Sequence, residues 1–566
     1  MLNTANCSSK SCNINGDSKS ILSHLLNILK NPRSTCPTWN GFLIALIIIV
    51  FSKSVYFEFV HYDDHTYTIS KSNKGKFYSL SFIKWAFTST DDGLWAPLTK
   101  FSHQIDTNLF GENASWHHAI NIILHTINCI LLWKFLTMLI GEGFTTFLST
   151  AIFAIHPLRV EPVCWIASRK DLLSTFFLLL MLIEFLKYIS SGKHFHYLFA
   201  VLYYFLSALS KPVAMVFPLF LPLTWLLSKR GTKNTSRITL LLLKSAPFFI
   251  IAFVLMLITI YSEERAIVPR EFLSISDRAL GSIISLGHYL LLTFVPVELH
   301  IPFGIDYYLF SGQKFGEPVF KNITYALYFG LVFFIFSSIW VLFTGNIKAG
   351  LVTLLMFLVP LLPVAGFVPF GHHLIADRFT YPSHIAFSLW LTTISQTKNK
   401  IFKISYNTFL TLILITYAIE SYHLSSYWQN SETLFRRTLK FEPNSYVGLC
   451  NLASSFLRKN RYYEAIPILQ KTIELYPQRA EPYNDLAYAY QRLGRFKEAL
   501  NFYMKSIRLK PNDAEVISNI SALFLETGDL NNAKKFAQNA LKINPHLENA
   551  KKILKLIETQ ENFPKD

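Results

Sequence analysis

The sequence predicts an all-α protein: a polytopic bundle of about eleven membrane helices, followed by a C-terminal α-solenoid. Composition and block length predict the bundle, and a repeat predicts the solenoid. Of 566 residues, 51% are hydrophobic and only 16% charged, where soluble domains carry about 25% charge. The apolar residues arrive in blocks of about 20, the length that crosses an apolar slab of about 30 Å. Beyond residue 422 the chain turns polar and repeats at a step of 34 residues.

Residues 1–40 are polar, with Lys10, Lys19, Lys30 and Arg33 ahead of the first apolar run, and are expected in the cytoplasm. That run, 41–57, lacks a small-residue cleavage site and reads as an uncleaved first span. The candidate spans are 41–57, 118–138, 143–157, 171–189, 197–209, 212–227, 244–261, 281–297, 322–343, 349–365, 384–396 and 402–420. Loop 228–243 holds Lys229, Arg230, Lys233 and Arg237, and loop 397–403 holds Lys398, Lys400 and Lys403. Both belong in the cytoplasm by the positive-inside rule. Five candidates lie between them, and an odd number cannot return the chain to the same side. The segment 281–297, with Gly281, Gly287, His288 and Pro296, is therefore assigned as re-entrant or interfacial. Eleven spans then place five parts outside: the loop 58–117, the loop 158–170, the turn Ser210–Lys211, the segment 366–383 and the C-terminal domain.

The formal net charge of +17 is read as cytoplasmic loops and lipid headgroup contact, so nucleic acid is not an expected partner. The six cysteines form no CxxC pair, which argues against a zinc site or a disulfide framework.

In the polar domain, 422–566, Pro443, Pro477, Pro511 and Pro545 are 34 residues apart. Ala465, Ala499 and Ala533 share that step, as do Phe456, Tyr490 and Phe524, each preceded by three residues by Ala453, Ala487 or Ser521. Small residues where paired helices touch, an aromatic in the gap and a proline after the second helix are the tetratricopeptide repeat (TPR) pattern. The repeats span 446–479, 480–513 and 514–547, after a half repeat around Trp428–Leu439 that joins the last span to the solenoid.

Asp63 and Asp64, just past the first span, can act as base toward a hydroxyl or hold a divalent cation; a solvated helix end is the alternative. The pair Asp91–Asp92, followed by Gly93, reads as turn chemistry. His118, Asn121 and His125 fall on one face of a span. The two histidines lie about 10 Å apart, too far to share a metal, so this face reads as a polar stripe toward the bundle interior. Between 156 and 171 lie His156, Arg159, Glu161, Arg169, Lys170 and Asp171. Basic residues on an outer loop run against the usual bias, and arginine and lysine suit the phosphate of a lipid carrier; internal ion pairs are the alternative. Lys211, and Arg378 beside Asp377, add outward cations. Together they describe an outer cavity with carboxylates on one wall and cations on another. It would serve transfer of a group from a lipid phosphate, or equally transport of an anion or lipid. No internal symmetry of the transporter kind is found.

Several stretches carry a resemblance: "FVHYDDHTYT", "WAPLTKFSHQIDTNLFG" leading to "HHAINIILH", "HPLRVEPVCWIASRKDLLS", "SKPVAMVFPL" and "ADRFTYPS", with the TPR domain after them. The chain resembles the transmembrane and TPR-repeat proteins of the dolichyl-phosphate-mannose-dependent O-mannosyltransferase type, which have the GT-C fold, and their bacterial relatives. The resemblance covers nearly the whole chain from residue 41. It implies a transmembrane domain over 41–421, a polyprenyl-phosphate sugar as donor, a protein or glycan hydroxyl as acceptor, and a catalytic acid at Asp63 or Asp64. Arg159, Arg169, Lys170, Lys211 and Arg378 would then bind the donor phosphate, with His118, Asn121, His125, His156, Glu161, Asp171 and Asp377 in support. The TPR domain would hold the acceptor or a partner protein, in the bacterial periplasm or, in a eukaryote, the endoplasmic reticulum lumen. The short TPR array departs from animal members and points to a bacterial relative. A non-enzymatic membrane scaffold is the other reading.

The topology is testable. A reporter fused after residue 440 is expected in the same compartment as one inserted near Asn73, and opposite one near Lys233. Accessibility labelling that puts the TPR fusion on the Lys233 side overturns the eleven-span arrangement.

Overall fold

The computed structural model describes residues 36–67, 76–89, 95–228, 238–262, 275–296, 303–304, 347–366, 373–396 and 399–561. The candidate span 322–343, the Asp91–Asp92 pair and most of loop 228–243 lie outside them.

Six described helices are long and apolar enough to cross a membrane: Trp39–Tyr56, Ala114–Leu139, Ile166–Ser191, Leu243–Ser262, Ile347–Val364 and Lys400–Trp428. Each falls on an expected span, because in hydrocarbon a lone segment satisfies its N–H and C=O groups only as a helix. Four other expected spans form shorter helices, so eleven crossings are not reached by described helices of crossing length. Phe144–Ile155 has 12 residues, which is about 18 Å. Pro157 ends it, since the residue before a proline is pushed out of the α region. Every residue from Thr145 to Ile155 is buried, so this helix has no lipid-facing side to match to a bilayer. Pro212–Leu227 begins as a 3-10 helix over Pro212–Leu219 and continues as α over Phe220–Leu227. Its prolines lack the N–H that an α ladder needs, and the 3-10 rise stretches the whole to about 28 Å. His194–Ser210 and Thr380–Ile394 complete the four.

Residues 281–294 belong to one unbroken helix, Ile275–Phe294, which is not among the six long and apolar enough to cross. Near its end, the Tyr289 hydroxyl accepts from the Ala376 N–H at 3.1 Å, and the Thr293 carbonyl accepts from His156 Nε2 at 3.0 Å. Ala376 and His156 belong to the end of the bundle where the expected outer loops gather. The preceding helix starts at the other end, where the Tyr197 hydroxyl donates to the Lys244 carbonyl at 2.7 Å.

That gathering of loops positions everything described below. The Thr99 hydroxyl donates to the Ser210 carbonyl at 2.8 Å, and the Arg159 Nη2 to the Thr380 hydroxyl at 2.7 Å. The Glu58 N–H donates to the Gln429 carbonyl at 2.9 Å. Segments 58–67, 97–110, 156–171, 210–211, 376–381 and 428–435 thus share one end of the bundle. A two-residue antiparallel bridge, Phe303–Gly304 with His373–Ile375, is the β structure among the described residues.

The solenoid runs as helix pairs: Tyr446–Arg458 with Tyr462–Leu475, Glu481–Arg492 with Phe496–Leu509, and Ala514–Glu526 with Leu530–Ile543. Ser431–Phe441 precedes them and Glu548–Glu561 follows. Pro477, Pro511 and Pro545 each lie two residues past the second helix of a pair. Ala465, Ala499 and Ala533 are fully buried, as are Ala453, Ala487 and Ser521. The turn inside each pair needs a left-handed residue, and Asn460, Gly494 and Gly528 supply it at φ of 57°, 73° and 82°. Glycine carries no Cβ penalty there and asparagine little. The helix Glu548–Glu561 packs on the preceding pair with Ala550, Ile553 and Ile557, burying that pair's outer face as stacked repeats do.

Ala499→Leu is expected to overfill the contact between Glu481–Arg492 and Phe496–Leu509 and to cost about 1–3 kcal/mol. Hydrogen exchange over 481–509 in the full chain should quicken while the membrane helices keep their protection; unchanged exchange means the helices do not meet there.

Candidate active site

Residues Val60–Tyr67 follow the first span in a tight turn. Asp64 is fully buried, and its carboxylate accepts from two backbone N–H groups: Oδ2 from Val60 at 2.8 Å and Oδ1 from Ala167 at 3.0 Å. Burial pushes this carboxyl up to about 7, against the two hydrogen bonds, which favour the charged form. Asp64 therefore staples the first outer loop to the 158–170 loop, 103 residues away in sequence. Its neighbour Asp63 is half-buried, and its carboxylate acts electrostatically on Lys170. The expected acidic pair is thus divided in role.

The expected phosphate-binding cations divide as well. Arg169 is fully buried and ion-paired with Asp106. Its Nε donates to Asn121 Oδ1 at 2.9 Å and its Nη2 to the His117 carbonyl at 2.9 Å. With its donors so engaged, Arg169 ties the start of Arg169–Ser191 to Pro97–Phe110 and Ala114–Leu139. Lys211 is ion-paired with Asp171, whose other oxygen accepts from the Ser168 hydroxyl at 3.2 Å. Arg378 binds Glu161 twice, Nη1 to Oε1 at 2.5 Å and backbone N–H to Oε2 at 2.8 Å, with its guanidinium 4.9 Å from the Trp165 ring centre. Burial, then the nearby Glu161 carboxylate, holds Asp377 well above the usual carboxylate range.

Two of the five cations have no carboxylate within ion-pair distance among the described residues. Arg159 is wholly enclosed, 4.8 Å from the Tyr381 ring centre, with Nε and Nη1 meeting no protein acceptor. Lys170 keeps 8% of its surface exposed. Its ammonium lies 5.3 Å from the Tyr67 ring centre and 5.6 Å from that of Trp165. Asp63, Arg378, Asp171 and Lys211 surround it as the charged neighbours.

The polar stripe of the second long helix serves the core. His125 Nε2 donates to the Ala154 carbonyl at 2.8 Å, so Nδ1 is left to accept from the Tyr381 hydroxyl at 2.8 Å. Asn121 also donates to the Trp165 carbonyl at 3.1 Å, and His118 packs edge-on to Phe57. His156 Nδ1 accepts from the Leu158 N–H at 3.2 Å, shaping the turn into the loop. Among the described residues no three His, Cys, Asp or Glu side chains gather as a metal-binding group.

Sequence reasoning did not single out Asp106, Tyr381 or Ser431. Asp106 carried a signal, as a carboxylate on the bundle-facing side of Pro97–Phe110 that calls for a buried cation. The others take part only through contacts between distant segments.

Fold and site define a polytopic membrane protein whose loop end is fused to a TPR solenoid. Tetratricopeptide repeat models match residues 444–512 and 514–555. The chain is similar to Protein O-mannosyl-transferase TMTC2 of Mus musculus, 32% identical over 97 residues, 17% of this chain and 12% of that protein. It is also similar to Protein O-mannosyl-transferase F38B6.6 of Caenorhabditis elegans, 28% identical over 210 residues, 35% of this chain and 30% of the relative. The second match is longer than the whole solenoid, so it takes in membrane-domain residues. Both matches span less than a third of the relative's length. Among solved structures, a MamA protein matches 23% of this chain and 72% of its own at 20% identity, with a TM-score of 0.21.

Asp64→Asn would set an amide NH2 against one of the two N–H donors and leave that donor unsatisfied, at about 1–3 kcal/mol. A lower melting temperature is expected for Asp64→Asn and an unchanged one for Asp63→Asn. Equal melting of the two variants would falsify the division of roles.

Proposed function

We propose that this protein is a membrane glycosyltransferase that moves a sugar from a polyprenyl-phosphate donor to a hydroxyl of a protein or glycan, at the loop end of the bundle and on the outer side of the membrane. The observation that carries the proposal is a half-buried carboxylate, Asp63, in the same cluster of loops as a cation with no ion pair among the described residues, Lys170, on which it acts electrostatically. Both stand on a wall built from segments far apart in sequence. The names of the similar proteins support the reaction class and favour mannose as the sugar.

The acceptor oxygen forms a bond to the sugar's anomeric carbon while the bond from that carbon to the phosphate oxygen breaks. The electron pair leaves with the polyprenyl phosphate, and the acceptor proton passes to the Asp63 carboxylate. Lys170 faces the charge that develops on the departing phosphate, and the rings of Tyr67 and Trp165 hold its ammonium in place. Such a fixed cation stabilises the transition state because it needs no reorganisation as charge appears. Arg378, anchored by Glu161, and Arg159, deeper in, add positive potential behind Lys170. Lys211 is neutralised by Asp171 and contributes through the loop's shape. The solenoid holds the acceptor or a partner protein.

The test is purified protein incubated with a panel of polyprenyl-phosphate sugars, mannose included, read as sugar release or transfer. Asp63→Asn should lower turnover about 10²–10⁴-fold with little change in donor affinity. Lys170→Met should weaken donor binding, while Arg169→Met should act on folding. Near-normal turnover in Asp63→Asn leaves the scaffold reading as the better account.

A further inference from the structure

The solenoid does not hang from the last membrane helix by a loose tether. Its lead helix, Ser431–Phe441, is seated against the loop that carries Asp63. Ser431 is buried, and its hydroxyl accepts from the His61 N–H at 2.8 Å. Phe435, fully buried, meets the Tyr62 ring edge-on with centroids 6.0 Å apart. Tyr62 in turn lies 5.1 Å from the Trp165 ring, and Trp165 stacks on Trp428 at 5.9 Å and 28°. Two residues before Asp63 are therefore held by the lead helix, and the residue after it is held by the 158–170 loop through Asp64.

The lead helix is itself rigid and tied to the first repeat. Asn430 and Thr433 close a reciprocal capping box at its start. Glu432 pairs with Arg461, Oε2 to Nη1 at 2.7 Å, across 29 residues and into the turn between the helices of that repeat. A displacement of the first repeat thus reaches the Asp63 loop through one ion pair and one helix.

We infer that Ser431 and Phe435 of the solenoid's lead helix are positioning residues for Asp63, so that the solenoid is part of the catalytic apparatus and not only a docking platform for a partner. This inference rests on Asp63 being the base. Ser431→Ala removes the acceptor for a partly buried N–H, and Phe435→Ala removes the ring that backs Tyr62. Either lets Asp63 shift, and misplacement by about 1 Å can cost on the order of a hundredfold in rate.

The experiment uses the full chain in lipid nanodiscs with dolichyl-phosphate mannose as the probe. Two quantities are read for Ser431→Ala and Phe435→Ala: hydrogen exchange over 57–67, and turnover with donor KM. The expected result is faster exchange over 57–67, protection elsewhere in the solenoid retained, and kcat down about ten- to hundredfold at unchanged donor KM. Ser431→Thr, which keeps the hydroxyl, should restore both. Unchanged exchange over 57–67 in both variants overturns the inference whatever the activity. So does faster exchange with normal kcat where Asp63→Asn is inactive. If Asp63→Asn itself turns over normally, the proposed function fails, and with it the catalytic part of this inference; the exchange measurement then reports the contact separately.

Discussion

The architecture at the loop end depends on one buried carboxylate. Asp64 gives each of its oxygens to a backbone N–H, one local at Val60 and one remote at Ala167. A carboxylate is a strong acceptor and is costly to bury without partners, so this geometry leaves the loop little freedom. Once Ala167 is fixed, Trp165 and Arg169 on either side of it are fixed too. Trp165 then becomes the surface on which Tyr62, Lys170, Arg378 and Trp428 assemble.

The charges around that staple obey a simple rule at the edge of an apolar bundle. Ions there are tolerated when paired, because desolvation costs several kcal/mol per ion and an opposite charge at hydrogen-bond distance offsets it. Arg169 with Asp106, Lys211 with Asp171, and Arg378 with Glu161 follow the rule. Lys170 and Arg159 depart from it among the described residues, Arg159 against the Tyr381 ring and Lys170 with the rings of Tyr67 and Trp165 in place of a carboxylate. Breaches of the pairing rule mark functional positions more often than arbitrary ones do.

The solenoid belongs to the same construction. A stack of repeats buries its faces against its neighbours and needs a cap at each end. Glu548–Glu561 packs on the outer face of the pair before it. Ser431–Phe441 lies against the first repeat, and two of its four buried side chains, Ser431 and Phe435, meet the first outer loop. One helix thus closes the repeat stack and lies against the wall of the site.

By itself the sequence determined the helical bundle, the solenoid and its register, and which loops carry the charged residues. Those features follow from local rules: the length of an apolar block, and the 34-residue step that aligns Pro443, Pro477, Pro511 and Pro545. Local rules failed where local chemistry was the same on both sides of a choice. Asp63 and Asp64 are adjacent and alike in sequence, and only the approach of Ala167 makes Asp64 a staple while Asp63 stays half-buried. Arg169 and Lys170 are likewise adjacent; the helix turns one toward Asp106 and Asn121 and the other toward Tyr67. In each case the deciding partner lies tens of residues or more away along the chain, and tertiary structure alone brings it within hydrogen-bond distance.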